Sequence, residues 1–236
     1  TPKVFRELDE WLRHRLRAAQ LEHWRRGTTM YRESKALGVM VCMLFIFQVI
    51  NIIIVRVCGP ENVTAYNIAY KYFNILNMAM MIIVTPFWSA CADAYTKKDF
   101  LWMKNVIEKM EMIWKLSICV LIIMILVSST FYDIWVGDSV KISLSLSVMV
   151  GVYILVQNLC GIYIYMINGT SKIRLQLVVY LVSAFISVPT MYFLCSKYGI
   201  TVMLLVPISV CLIQAFVAKK QLTKIIRGTA SGIWIK

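Results

Sequence analysis

One stretch of the sequence places amide and ammonium side chains at helical spacing within an apolar segment. Its members, separated by four, three and three residues, are Asn67, Lys71, Asn74 and Asn77. This spacing puts them on one face of a helix. A lysine ammonium binds phosphate, and amides hydrogen-bond sugar hydroxyls. Because polar groups in hydrocarbon are costly unless they face protein or water, the stripe predicts a route for a polar, anionic cargo.

Neighbouring apolar segments carry polar faces of the same kind. They extend the predicted substrate pathway to Asn158, Asn168 and Gln176. Hydroxyl groups continue the last of these faces at Ser183, Ser187 and Thr190. Several helices with one polar face each can surround a wet cavity. Two alternatives stay open, because such groups also bond across helix contacts and a lysine can extend its ammonium to the membrane surface.

No catalytic or metal-binding constellation accompanies these residues. His14 and His23 both lie in a basic N-terminal stretch, and Asp93 and Asp133 fall at predicted helix ends. The seven cysteines are odd in number, form no C-x-x-C pair and lie mostly in apolar blocks, so we predict buried thiols rather than disulfides or a zinc site. The sequence thus predicts a protein that is not an enzyme and needs no cofactor or metal.

The apolar blocks that must position these groups are long enough to cross a membrane. Of 236 residues 60% are hydrophobic and 16% are charged, whereas soluble domains are about 45–50% apolar and 25% charged. We predict an all-α integral membrane bundle of six transmembrane helices within residues 38–219. Their predicted ranges are 36–57, 64–92, 112–136, 142–167, 173–195 and 200–218.

Two connecting segments carry local signals. Segment 93–111 has apolar residues at helical spacing among lysines, which predicts an amphipathic helix on the inner membrane surface. The dipeptide Asn168-Gly169 predicts the end of the fourth helix.

The basic residues predict the orientation of the helices. With the N-terminus inside, 20 of the 25 basic residues fall in cytoplasmic segments and three, Arg56, Lys141 and Lys197, fall outside. Cytoplasmic loops of membrane proteins carry such an excess of lysine and arginine. We therefore predict that both termini are cytoplasmic, with a basic tail at 220–236 beside the anionic lipids of the inner leaflet.

Residues from about 38 to 230 resemble the bacterial polysaccharide transporters of the O-antigen flippase type, within the multidrug/oligosaccharidyl-lipid/polysaccharide exporter superfamily. The match is carried by Gly59-Pro60, residues 63–67, residues 86–90, Asp93-Ala94, Asp99 with Trp102, and residues 167–176. The resemblance implies a multi-pass protein of the bacterial inner membrane that flips undecaprenyl-pyrophosphate-linked oligosaccharide for polysaccharide and lipopolysaccharide synthesis. Family members have about twelve helices in two halves, so a partner equivalent to the N-terminal half is expected.

The first residues resemble a different family, the maturase-specific domain of group II intron reverse transcriptases. The match in residues 4–38 is carried by Leu8-Asp9, Trp11, Arg13, Arg15-Leu16-Arg17, Trp24-Arg25-Arg26 and Leu37-Gly38. It implies RNA binding by residues 1–37. The alternative, which we favour, is a basic amphipathic helix on the inner leaflet. Both resemblances together suggest a reading frame fused by a mobile intron.

Three functions therefore compete. The leading one is flipping of lipid-linked oligosaccharide, by a truncated or fused half of a flippase. The second is an RNA-binding remnant joined to an inactive membrane domain. The third is export of drugs or cations, which the lack of an acidic residue inside the predicted helices disfavours.

Overall fold

The computed structural model describes residues 48–137 and 140–234, which form helices joined by short turns. The helices are α1 Gln48–Cys58, α2 Pro60–Thr96, α3 Phe100–Val136, α4 Leu144–Thr170, α5 Arg174–Met203 and α6 Leu205–Ile226, followed by a short 3-10 helix, Gly232–Trp234. By length and composition, α2 to α6 can each cross a membrane, which confirms the predicted helical membrane bundle. The start of the first predicted helix and the maturase-like residues 1–37 lie outside the described residues.

The central helix of the bundle is α4, which packs against α2, α3, α5 and α6. In α4, 61% of the most apolar 18-residue window is buried, whereas in α3 and in α5 only 17% is. The two peripheral helices expose large apolar side chains, including Leu126, Ile134 and Phe185. A continuous apolar surface of this kind fits contact with lipid or with another membrane bundle.

The helix ends follow from local signals in the sequence. Gly59, at φ 89°, makes the turn before α2. Pro60 occupies a first-turn position, where the backbone N–H that proline lacks would have no partner inside the helix. The Asp99 carboxylate accepts a hydrogen bond from the Trp102 amide at 3.0 Å and so caps the start of α3. Ser143 caps α4 in the same way. These caps supply partners for amides that the first turn of a helix leaves unpaired.

The prediction of a separate surface helix at 93–111 is wrong. Residues from Phe100 onward are the first turns of α3, which continues to Val136. No glycine or proline interrupts this stretch, so nothing ends the helix near Glu111. The amphipathic spacing is real, and its apolar residues, among them Met103 and Ile107, are buried within the bundle.

The predicted helix stop at Asn168-Gly169 is also wrong. Helix α4 continues to Thr170 and ends where Ser171 adopts a left-handed conformation, at φ 62°. Gly169 instead allows close packing, because a Cβ there would lie 3.0 Å from the Trp88 carbonyl oxygen and 3.1 Å from the Ala92 nitrogen. The glycine thus lets the backbones of α2 and α4 approach closely.

The bundle has one strongly basic end. The ends of α2, α4 and α6 meet there, since Gly169 packs on α2 and the Gln221 amide donates to the Lys172 carbonyl oxygen at 2.9 Å. The basic residues of this end are Lys97, Lys98, Lys172, Arg174, Lys219, Lys220, Lys224 and Arg227. The opposite end holds Gly59, Gly137, residues 140–143 and Gly199. This is the arrangement that the loop charges predict for a cytoplasmic and an outer end.

Candidate substrate pathway

The polar stripe of α2 lies outside the buried face of the helix. Tyr66 and Phe73 are fully buried, whereas Lys71 is exposed. The Lys71 side chain makes no ion pair or hydrogen bond within residues 48–137 and 140–234. The other three members of the stripe, Asn67, Asn74 and Asn77, are half-buried. Packing of the bundle therefore leaves the four side chains of the stripe at least partly accessible.

The position of Lys71 along α2 bears on whether it can reach the outer surface. Because α2 begins at Pro60, four residues earlier than predicted, Lys71 lies eleven residues from the helix start. At about 1.5 Å per residue this is roughly 17 Å, or three turns. With 37 residues, or roughly 55 Å, α2 is longer than a hydrocarbon core of about 30 Å, so a polar environment at Lys71 and extension of its ammonium to the membrane surface both stay open.

Two of the asparagines contact each other. The Asn77 Nδ2 atom donates a hydrogen bond to the Asn74 Oδ1 atom at 3.0 Å. The Asn77 Oδ1 atom is buried and has no hydrogen-bond partner within the described part of the chain. Two residues before Asn74, Tyr72 donates to the carbonyl oxygen of Met124 at 3.0 Å and fixes α2 against α3. The stripe thus has defined side-chain positions and spare hydrogen-bonding capacity.

The remaining predicted pathway residues lie deeper in the bundle. Asn158 on α4 and Gln176 on α5 are 2% and 1% exposed, and no polar atom of either side chain finds a partner among the described residues. Gln214 on α6, the polar residue that the sixth predicted helix contributes, has the same environment. Asn168 is half-buried near the basic end, and its carbonyl oxygen accepts from the Ser171 amide at 3.1 Å. Buried amides without protein partners are unfavourable unless water or a bound molecule supplies the hydrogen bonds.

A groove of about 350 Å³ runs between α5 and α6. It contains the hydroxyl groups predicted to extend the polar face, but these groups bond to their own helix. Ser187 donates to the Ser183 carbonyl oxygen at 2.5 Å, and Thr190 donates to the Ile186 carbonyl oxygen at 2.7 Å. The groove is otherwise lined by apolar side chains such as Leu194. Its walls therefore offer few free donors to a sugar.

The structure does not gather the seven predicted pathway residues around one cavity of the described bundle. A hydrogen bond joins Asn74 and Asn77, and none of the seven lines the groove between α5 and α6. Their role in a pathway stays a prediction. Among residues 48–137 and 140–234, no cluster of three or more His, Cys, Asp or Glu side chains could hold a metal ion.

A charged cluster that the sequence analysis missed joins three helices near the basic end. The Tyr163 hydroxyl on α4 donates to Glu111 Oε1 on α3 at 2.6 Å. Lys219 Nζ on α6 lies 3.0 Å from the same oxygen and 5.6 Å from the centre of the Tyr163 ring. The carboxylate thus has a hydrogen-bond donor and a counter-ion, which a half-buried charge requires.

Glu111 was missed because its segment was assigned to the membrane surface. It lies eleven residues inside α3, at about 17 Å from the helix start. The uninterrupted run of helix-compatible residues from Phe100 to Val136 was the available signal. The described bundle therefore places an acidic residue in α3, a candidate membrane helix, on the side of the basic end.

Comparison with known proteins gives one family match. The family model described as MatE matches residues 36–193, which is about two thirds of the chain. No curated protein and no solved structure matches the chain.

Proposed function

Because the chain belongs to the MatE family, whose members are membrane transporters of the multidrug and polysaccharide exporter type, we propose that it carries lipid-linked oligosaccharide across a bacterial inner membrane. The cargo class is the undecaprenyl-pyrophosphate-linked oligosaccharide used for surface polysaccharides. The observation that carries the proposal is the exposed Lys71 on the asparagine stripe of α2.

The physical argument starts from the cost of a lysine in a membrane. A charged side chain near the middle of a membrane helix costs about 2.5–3.5 kcal/mol by insertion measurements. Lys71 has no counter-ion among the described residues to offset this cost, and its three neighbours on the stripe are amides. A pyrophosphate would supply the missing negative charge, and the amides would bind the adjoining sugar.

The stripe needs a second wall to become a pathway, because it lies on the outside of the described bundle. We expect that wall to be a second six-helix bundle, as the resemblance to the twelve-helix flippases implies. In this arrangement the basic end faces the cytoplasm, both termini are cytoplasmic, and the two bundles alternate in opening to either side. The buried amides Asn158 and Gln176 would then serve as inner polar groups that the cargo reaches when α4 and α5 separate.

Export of a drug or cation is a second candidate, and Glu111 is the observation that favours it. Its carboxylate lies within α3 and is held by Tyr163 and Lys219. Acidic residues inside membrane helices are typical of cation-coupled transport. The family match is compatible with both cargoes. The RNA-binding alternative concerns residues 4–38, outside the described part of the chain, and predicts salt-dependent RNA binding by that segment.

The experiment is complementation with two readouts. The chain is expressed in cells that lack their own flippase, alone and together with the other bundle of a flippase, and surface polysaccharide is measured. In parallel, cells that lack their drug exporters are scored for resistance to cationic drugs. Our proposal predicts that surface polysaccharide is restored when the second bundle is present, and that resistance to cationic drugs is unchanged.

Matched variants connect the result to the stripe. Lys71→Gln is expected to abolish most of the restored polysaccharide at equal protein level. Lys141→Gln removes the same charge from an exposed loop and is expected to have no effect. Drug resistance without polysaccharide would refute the proposed cargo, and equal effects of the two lysine variants would refute the role of Lys71.

A further inference from the structure

The opposite end of the bundle contains a pair of cysteines that are far apart in the sequence. The Cys58 and Cys195 sulfur atoms lie 3.2 Å apart, and 137 residues separate them along the chain. Cys58 is the last residue of α1, and Cys195 lies in the outer part of α5. Both thiols are free in this structure.

We propose that Cys58 and Cys195 form a reversible disulfide that ties the turn between α1 and α2 to the end of α5. A disulfide has its sulfur atoms about 2.05 Å apart, so the two thiols need to approach by about 1 Å. Small side-chain rotations supply a movement of this size. The inference depends on the proposed orientation, in which this end of the bundle faces the oxidising side of the membrane.

The surroundings of the two thiols indicate that the oxidant reacts first with Cys58. Cys195 is 2% exposed, whereas Cys58 is only half-buried and lies beside Gly59, which makes the turn. The turn is held by a hydrogen bond from the Asn62 Nδ2 atom to the Cys58 carbonyl oxygen at 2.6 Å. An oxidant can therefore reach Cys58 first, and Cys195 is already in contact to complete the exchange.

The chemistry balances as a thiol–disulfide exchange. The oxidant is the disulfide of a thiol oxidoreductase on the outer side of the membrane. The Cys58 thiolate attacks it and forms a mixed disulfide, and the Cys195 thiolate then displaces the oxidoreductase. One S–S bond forms in this chain and one is broken in the oxidant, which takes two electrons and becomes a dithiol.

The disulfide would act as a clamp on the outer end of the bundle. Helix α5 has few packing contacts with α4, and it is interrupted at Gly199, four residues beyond Cys195. The outer part of α5 is attached through Met191 and Cys195, which are buried in an apolar cluster with residues of α1 and α2 such as Ile54 and Tyr66. Oxidation would fix α5 to the turn before α2, the helix that carries Lys71, and exchange with a dithiol oxidoreductase, which is itself oxidised to its disulfide, would release it.

The test uses the full chain in membranes from a bacterium with an oxidising periplasm. Free thiols are blocked with N-ethylmaleimide at lysis, the protein is digested with trypsin without reduction, and linked peptides are identified by mass spectrometry. Trypsin places Cys58 in the peptide 57–71 and Cys195 in the peptide 175–197, each with no other cysteine. We expect these two peptides to be joined, and to separate on reduction.

Cysteine variants test whether the linked peptide comes from Cys58 and Cys195, and a chemical oxidant distinguishes a wrong orientation from a wrong contact. Cys58→Ser and Cys195→Ser are expected to remove the linked peptide, whereas Cys119→Ser, at an exposed cysteine on α3, is expected to leave it unchanged. Absence of the linked peptide in blocked membranes overturns the proposal. Copper-phenanthroline then identifies the error: linkage under copper points to the orientation, and no linkage points to the contact itself. Transport activity is not part of this test, so its outcome is independent of the proposed cargo.

Discussion

Replacing Gly169 with alanine is expected to destabilise the contact between α2 and α4, whereas the same change at Gly161 is not. A Cβ at position 169 would meet the Trp88 carbonyl oxygen at 3.0 Å and the Ala92 nitrogen at 3.1 Å. Both atoms belong to the backbone of α2, so no side chain can rotate out of the way. A Cβ at position 161 would meet only the flexible end of Met81, at 3.5 Å, which is an ordinary contact.

The expected magnitude follows from two opposing terms. Alanine stabilises a helix interior by about 1 kcal/mol relative to glycine, and this gain is common to both positions. Forcing an extra carbon into a close-packed contact costs about 1–3 kcal/mol. The free energy of unfolding should therefore rise by up to about 1 kcal/mol for Gly161→Ala, and should lie about 1–3 kcal/mol lower for Gly169→Ala than for Gly161→Ala.

The assay is reversible unfolding of the purified chain in mild detergent, with increasing dodecyl sulfate and helix content as the signal. Both variants lie in the same helix and add the same methyl group, so effects on expression and detergent binding are matched. If both alanine variants shift the midpoint by the same amount in the same direction, the close approach of α2 and α4 at Gly169 is refuted.

The remaining predictions concern the polar groups. Tyr163→Phe should lower the free energy of unfolding by about 1–2 kcal/mol in the same assay through loss of the hydrogen bond to Glu111, and no change would contradict that bond. Asn158→Leu should raise that free energy by about 1–3 kcal/mol, because it removes a buried amide without partners, and should reduce transport; a destabilised variant would indicate that the amide is satisfied. Lys71→Gln should lower polysaccharide restoration at least about tenfold, as expected from loss of a charge-assisted hydrogen bond, with Lys141→Gln as the unchanged control.

The existence of the membrane helices could be predicted because long apolar blocks determine them directly. Their bounds could not, because helices extend into polar sequence where caps allow it. Asp99 starts α3 well before its apolar block, and the left-handed Ser171 ends α4 two residues after the dipeptide that predicted its end. The sequence indicated only a helix stop at Gly169. Its close contact with α2 depends on tertiary packing, which the local sequence does not show.

The candidate site was only partly predictable for the same reason. Helical spacing correctly indicated that Lys71 and its asparagine neighbours share a face, but spacing does not say whether that face is buried or exposed. The partners of Glu111 lie on two other helices and could not be inferred from its surroundings in the sequence. The contact between Cys58 and Cys195 likewise appears only when the bundle is assembled.

The most direct test of the proposed cargo is transport in reconstituted vesicles. The chain, alone and with the second bundle of a flippase, is inserted into liposomes that contain a fluorescent undecaprenyl-pyrophosphate oligosaccharide in both leaflets. An impermeant glycosidase then reports how much cargo reaches the outside. Our account predicts cargo exposure above that of protein-free vesicles and a large loss of this signal with Lys71→Gln. Exposure equal to that of protein-free vesicles in both settings would contradict it.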